Sequence, residues 1–178
     1  LQAGLTREQD VLGPLLARMT LSREVGADLL ISLHADALPE DAARGASVYT
    51  LSTDGGSAAA QRNVERHERS DLLAGVDLEA ADDRVATALM DLARAQTGPE
   101  SRRIADALVA SMYAQGVLMN TNPRREGQYT VLTAADFPSV LIEAGFLSNA
   151  EDRAILAAAE GRARITRAIT DTVVLLAR

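Results

Sequence analysis

The stretch LLISLHAD, residues 29–36, is the clearest structural signal in this chain of 178 residues. Its first five residues form a nearly continuous apolar run, which is typical of a strand buried on both faces of a sheet. The stretch SVLIE, residues 139–143, has the same character and predicts a second buried strand. Strands that are buried on both faces need helices packed over them, so the two stretches favour an α/β domain.

The rest of the chain alternates between helical and strand patterns around these two stretches. The predicted helices are residues 14–25, 57–70, 82–95, 100–115, 152–158 and 162–176, with Gly98-Pro99 separating the third from the fourth. Further strands are predicted at residues 46–51 and 129–132, a polar loop at 120–128, and a strand end or loop at 1–10. The predicted fold is therefore an α/β domain with a mixed sheet flanked by helices on both faces.

The length fits one domain over residues 1–178. Residues 53–97 read as a helical insertion between core elements, although they could also form one more crossover. The chain does not begin with Met, which suggests a processed chain or part of a longer one. No apolar run approaches the roughly 18 residues needed to span a bilayer, and the start lacks the pattern of a signal peptide.

Composition excludes several classes of function. The net charge is −7, all 18 basic residues are Arg, and acidic residues lie close to each basic cluster. Because a duplex-binding protein usually concentrates positive charge on one face, nucleic acid is not expected as a partner. The chain has no Cys, so disulfides, thiolate metal sites and Cys nucleophiles are all excluded.

His34 lies where the first buried strand gives way to polar sequence. Catalytic groups of open α/β sheets gather at the carboxyl ends of strands. A neutral imidazole in this place could bind zinc, with Asp36 pointing to the same side. The alternative is a His that only caps the strand. Catalytic zinc usually needs three protein ligands, so His34 alone does not make a site.

Glu143 follows the buried run Val140–Ile142 and is the less usual residue of the two. A buried carboxylate is costly unless it is paired, and burial raises its pKa while a nearby cation lowers it. Both effects suit a group that transfers protons. The alternative is a Glu that leaves the strand end and reaches solvent.

The remaining polar candidates are weaker. His67 lies in the polar segment Glu65–Arg69, where a lone His is more often a solvated surface residue. Asn149 is expected to be a turn or helix-cap residue, and Glu126 and Asp136 are expected to be loop charges.

Four motifs occur in order along the chain: Thr6-Arg7 with Asp10, SLHAD at residues 32–36, RGASVY at residues 44–49 and PSVLIEAGFLSN at residues 138–149. Together they resemble the amidase-3 family of zinc-dependent N-acetylmuramoyl-L-alanine amidases. SLHAD, residues 32–36, is similar to the family's Ser-Ile-His-Ala-Asn segment. PSVLIEAGFLSN, residues 138–149, is similar to its Pro-x-Val-Leu-Val-Glu-x-Gly-Phe-x-Ser-Asn block. Thr6-Arg7 with Asp10, and RGASVY at residues 44–49, match two further segments in the same order, so the resemblance runs from about residue 5 to the end.

The resemblance implies an exported, periplasmic enzyme that cleaves the amide between N-acetylmuramic acid and L-alanine in peptidoglycan. In the family, two His and one Glu hold Zn²⁺, and His34 corresponds to the second His. Glu143 corresponds to the catalytic Glu, the base for the attacking water and then the acid for the leaving amine.

One departure limits this expectation. The family's first His and its ligand Glu lie upstream of the segment that Thr6-Arg7 matches, and no Gly-His-Gly occurs here. The chain as given is therefore expected to bind zinc poorly, to have little activity and to expose a strand edge. The alternative reading is a truncated, non-catalytic domain that binds peptidoglycan or a division partner.

The predicted insertion also resembles the family's cell-division amidases, with Ser70-Asp71-Leu72 matching their Ser-Asp-Leu element. In those enzymes a helix blocks the zinc site through an extra Glu ligand until an activator with a LytM-type domain displaces it. His67 or Glu68 falls at or beside that position and is the predicted self-inhibiting ligand.

Overall fold

The computed structural model describes residues 1–10, 14–37, 43–52 and 83–177. The helices in these ranges are α1 (Leu15–Glu24), α2 (Asp83–Ala114), α3 (Ala150–Ala157) and α4 (Ala159–Leu176). The strands are β1 (Leu30–Asp36), β2 (Ala46–Leu51), β3 (Met119–Gly127) and β4 (Ser139–Phe146), and Thr130–Leu132 forms a 3-10 turn.

The described strands form one mixed sheet in the order β1-β4-β2-β3. β1 is parallel to β4 and β2 is parallel to β3, whereas β2 and β4 are antiparallel. β1 forms one edge of this sheet, and the side chain of Leu33 on it is 57% exposed. The mixed sheet with helices on both faces confirms the predicted fold class.

The two faces of the sheet carry different layers. On one face, α2 and α4 pack over β2 and β4 in a core made of Ala46, Val48, Ile104, Ala105, Leu108, Met112, Val140, Ile142, Ile165 and Ala168. On the other face, α1 packs against Leu30 through Met19, and the 3-10 turn covers Tyr49 and Leu141.

Most predicted elements agree with the structure to within a few residues, but the predicted break at Gly98-Pro99 is wrong. α2 continues through Pro99 as one helix, although proline cannot donate a backbone hydrogen bond. Polar contacts hold the turn on both sides of the proline: Thr97 Oγ1 donates to Ala135 O at 3.2 Å, and Ser101 Oγ donates to Thr97 O at 3.0 Å. Ser101 Oγ also accepts from Ser139 N at 3.1 Å. Tertiary packing therefore outweighs the local signal.

The predicted loop at residues 120–128 is wrong, because it is the edge strand β3. An edge strand buries few apolar side chains. The polar side chains of β3 form hydrogen bonds with one another or with the neighbouring helix α2. Arg125 Nη2 donates to Asn120 Oδ1 at 3.0 Å, and Arg124 Nε donates to Asp106 Oδ1 at 3.0 Å. Pro123 is also tolerated at an edge.

The predicted strand at residues 129–132 is also wrong, since Thr130–Leu132 is a single 3-10 turn. Val131 and Leu132 are both 1% exposed because the turn presses them onto the sheet. Because both side chains are buried, this short segment is apolar in sequence and resembles a strand.

Two predictions concern residues that the structure leaves undescribed. The predicted helix at residues 57–70 and most of the predicted insertion at 53–97 lie outside the described ranges. Within those ranges, no helix is long and apolar enough to cross a membrane.

Candidate active site

His34 and Glu143 lie side by side on the parallel strands β1 and β4. The two residues are Cα partners in the strand register, so both side chains leave the same face of the sheet. Each lies toward the carboxyl end of its strand, where ligands and catalytic groups of α/β sheets gather. The structure thus brings together the two candidates that are far apart in sequence.

The carboxyl group of Glu143 is buried and accepts a hydrogen bond from the backbone of β1. Only 5% of the residue is exposed, so the alternative in which it reaches solvent is wrong. Asp36 N donates to Glu143 Oε1 at 2.6 Å. Burial, together with the charge of Asp36, raises the pKa of Glu143 to about 7, although the hydrogen bond from Asp36 N acts to lower it. A carboxyl with this pKa can accept and release a proton near neutral pH.

His34 is half-buried beside Glu143. Its burial lowers the pKa of the imidazole, the positive charge of Arg18 on α1 lowers it further, and Asp36 opposes these effects. The neutral imidazole is therefore favoured, which is the form that coordinates metal ions.

An irregularity in the pairing of β1 and β4 shapes the end of the site. His34 pairs with Glu143 but Asp36 pairs with Phe146, so β4 carries an extra residue across this interval. Gly145 lies in the extra stretch at φ +151°, and an added Cβ would come within 3.1 Å of Asp152 Oδ2. Glycine is therefore needed here.

Asp152 is a buried carboxylate that joins the two loops next to the site. It is 3% exposed, and its Oδ2 accepts from Gly45 N and from Phe146 N, each at 2.8 Å. Asp152 thus fixes the start of β2 to the end of β4. This role of Asp152 was not predicted from the sequence. The only sequence signal for Asp152 is its position three residues after the helix cap Asn149. An acidic side chain at that position usually accepts a hydrogen bond from the backbone N–H of the cap residue.

The minor candidates had mixed outcomes. Asn149 is confirmed as a helix cap, because its Oδ1 accepts from Glu151 N at 3.0 Å and from Asp152 N at 3.2 Å. Asp136 is more than a loop charge, because Arg23 binds it through two hydrogen bonds of 2.5 and 3.0 Å. Glu126 is exposed on β3 instead of lying in a loop.

Tyr129 is a further residue near the site that was not predicted from the sequence. Its ring meets the Tyr49 ring edge-on, with centroids 5.2 Å apart. Burial raises the pKa of Tyr129 to about 12, with contributions from Tyr49 and from the carboxylates of Glu143 and Asp36. Tyr129 therefore stays protonated and can act as a hydrogen-bond donor at the rim of the site.

The described residues supply the right kinds of group for zinc but too few of them. A neutral imidazole and a nearby carboxyl suit a zinc hydrolase. However, no group of three or more His, Asp or Glu that could hold a metal ion comes together in the described ranges. A complete zinc site does not fit these residues alone. The predicted inhibitory ligands His67 and Glu68 lie outside the described ranges and stay a prediction.

A buried carboxyl with a pKa of about 7 lies beside an imidazole whose neutral form is favoured, at the end of an α/β sheet, and this arrangement is compatible with proton transfer. The chain belongs to the amidase-3 family of N-acetylmuramoyl-L-alanine amidases, whose family model matches residues 1–174.

Curated relatives agree with this assignment. The chain is 33% identical over 175 residues to the N-acetylmuramoyl-L-alanine amidase AmiA of Escherichia coli K12, covering 98% of this chain and 60% of the relative. It is also 33% identical over 172 residues to AmiC of Neisseria meningitidis, covering 95% of this chain and 40% of the relative. The chain thus spans about half the length of these relatives.

Solved structures show the same fold. AmiC2 of Nostoc punctiforme matches with a TM-score of 0.65 at 21% identity, covering 99% of this chain and 73% of that structure. The catalytic domain of CwlV from Bacillus (Paenibacillus) polymyxa matches with a TM-score of 0.63 at 20% identity, covering 97% of this chain and 70% of that structure.

Proposed function

We propose that the protein containing this chain hydrolyses peptidoglycan at the amide between N-acetylmuramic acid and L-alanine. Membership of the amidase-3 family supports this substrate class. The observation that carries the proposal is Glu143, a carboxyl that is 5% exposed and has a pKa of about 7, beside His34. Export to the periplasm is part of the proposal.

Glu143 is the proposed proton carrier of the reaction. Its carboxylate accepts a proton from the water that attacks the lactyl carbonyl carbon. The C–N bond then breaks, and the same proton passes to the amine nitrogen of L-alanine, so the carboxylate is regenerated. The hydrogen bond from Asp36 N to Oε1 holds the carboxyl in one orientation through both transfers.

Zn²⁺ is the proposed cofactor of the complete site, where it would polarise the scissile carbonyl and activate water. His34 would be one ligand, and the others would come from outside the described residues.

Replacing Glu143 with glutamine in the full-length protein tests the proposal. We expect hydrolysis of purified peptidoglycan to fall by about 10²-fold or more, because the variant cannot carry the proton. Mass spectrometry of the soluble products should show stem peptides with a free L-alanine amine for the parent protein and almost none for the variant. Glu126→Gln, an exposed change on β3, is the control and should retain full activity.

The alternative is a non-catalytic domain that binds peptidoglycan or a division partner. Its supporting observation is that no three-ligand metal group comes together among the described residues. A parent protein that pellets with peptidoglycan without releasing any stem peptide would establish this alternative and overturn the amidase proposal.

We also propose that the segment around His67 and Glu68 inhibits the site until a LytM-type activator displaces it. The resemblance of Ser70-Asp71-Leu72 to the cell-division amidases supports this proposal. In the full-length protein, the double substitution His67→Ala and Glu68→Ala should raise activity without activator several-fold, measured as dye release from labelled peptidoglycan. Unchanged basal activity would contradict self-inhibition by these residues, and Glu65→Ala serves as the control.

A further inference from the structure

Ser47 on β2 carries a buried hydroxyl group that has no structural role in the described part of the molecule. The residue is 0% exposed, and its Oγ has no hydrogen-bond partner among the described residues. A buried hydroxyl without a partner destabilises the folded state, and alanine would avoid that cost. Folding alone therefore does not explain a serine at this position.

The position of Ser47 connects it to Glu143. The two residues are Cα partners in the antiparallel pair of β2 and β4, so their side chains leave the same face of the sheet. Tyr49, two residues further along β2, packs on Leu141 and the 3-10 turn, which confirms which face this is. Glu143 thus lies between His34 on β1 and Ser47 on β2.

Strand geometry places the hydroxyl within reach of the carboxyl. The Cβ atoms of directly opposed residues in an antiparallel pair are about 4.5–5.5 Å apart. Rotation about the side-chain bonds of Ser47 and Glu143 is therefore enough to bring the hydroxyl and the carboxyl together, with no movement of the backbone.

We propose that Ser47 is a positioning residue for Glu143, which it binds from β2 while Asp36 N binds it from β1. This inference rests on the proposed function, in which Glu143 carries a proton. A carboxylate offers about four lone-pair sites, so two donors still leave room for the attacking water. A hydroxyl group can both donate and accept a hydrogen bond, so Ser47 can bind the charged carboxylate as a donor and the O–H of the protonated carboxyl as an acceptor.

Thr50 on the same strand provides a matched control. It is 2% exposed, and its Oγ1 also has no hydrogen-bond partner among the described residues. Because side chains alternate along a strand, Thr50 leaves the opposite face from Ser47, the face on which Val48 packs beneath α2. Thr50→Val therefore removes a comparable hydroxyl group away from Glu143.

The test compares Ser47→Ala with Thr50→Val in the full-length protein, using a soluble muramoyl peptide as substrate. We expect Ser47→Ala to lower kcat by about 10- to 100-fold, as loss of an outer partner of a catalytic group commonly does. KM should stay within about two-fold of the parent value, because Glu143 transfers a proton and does not bind the substrate. Ser47→Ala should remain fully folded at the assay temperature, because one side-chain hydrogen bond contributes only a small part of the stability of a domain. Thr50→Val should leave kcat unchanged.

The outcomes separate this inference from the proposed function. If the parent protein is active and Ser47→Ala matches it in kcat, the positioning role is wrong. Equal losses of kcat in both variants, or a loss of kcat that is accounted for by unfolding of Ser47→Ala at the assay temperature, would also overturn it, because a packing effect would explain them. A parent protein without activity would instead refute the proposed function.

Discussion

Replacing Glu143 with glutamine is expected to raise the free energy of unfolding of the metal-free protein by about 2 to 3 kcal/mol above pH 7. The pKa of Glu143 is raised from 4.5 to about 7 in the folded state. The folded protein therefore binds more protons than the unfolded chain between these values, and its stability falls as the pH rises through this window. Glutamine is neutral at every pH and removes this loss, while its amide oxygen can still accept from Asp36 N.

Urea unfolding of the parent and variant proteins from about pH 4 to pH 8.5, with a chelator present, measures this effect. The two proteins should have similar stability near the acid end, and the variant should gain as the pH rises. Glu126→Gln controls for the change of net charge, because Glu126 is exposed. Parallel pH profiles for the parent and Glu143→Gln proteins would show that burial of Glu143 is not linked to stability.

Replacing Asp152 with alanine is expected to lower the free energy of unfolding by about 3 to 4 kcal/mol. The variant leaves Gly45 N and Phe146 N without their acceptor in the interior, and each unsatisfied buried donor costs about 1–3 kcal/mol. The two loops that Asp152 joins should then separate. Chemical unfolding at pH 7 measures the loss.

The neighbouring acid provides the control for this prediction. Glu151→Ala should cost less than about 1 kcal/mol, because Glu151 is 65% exposed and pairs with an exposed Arg44. Asp152→Asn should fall between the two, since an amide oxygen can still accept a hydrogen bond but carries no full charge. A loss in Asp152→Ala no larger than in Glu151→Ala would contradict the bridging role.

Local patterns in the sequence were sufficient for the core elements of the fold. The apolar runs at residues 29–33 and 139–143 correctly predicted β1 and β4, because strands buried on both faces have few polar residues. β3 was missed since an edge strand lacks that signal. The continuous helix through Pro99 was missed because its supporting contacts come from Ala135 and Ser139, which are distant in the sequence.

In the candidate site, local sequence patterns were sufficient to identify the two residues whose chemistry is unusual in their surroundings. His34 and Glu143 stood out because each interrupts or ends an apolar run. The partners that surround and orient these two residues could be identified only from the folded structure. Asp36 N and Glu143 are 107 residues apart, as are Gly45 and Asp152, and Ser47 reaches Glu143 only through the pairing of β2 with β4. Hydrogen bonding and burial depend on which strands become neighbours, and that is fixed by packing of the whole sheet and not by the local sequence.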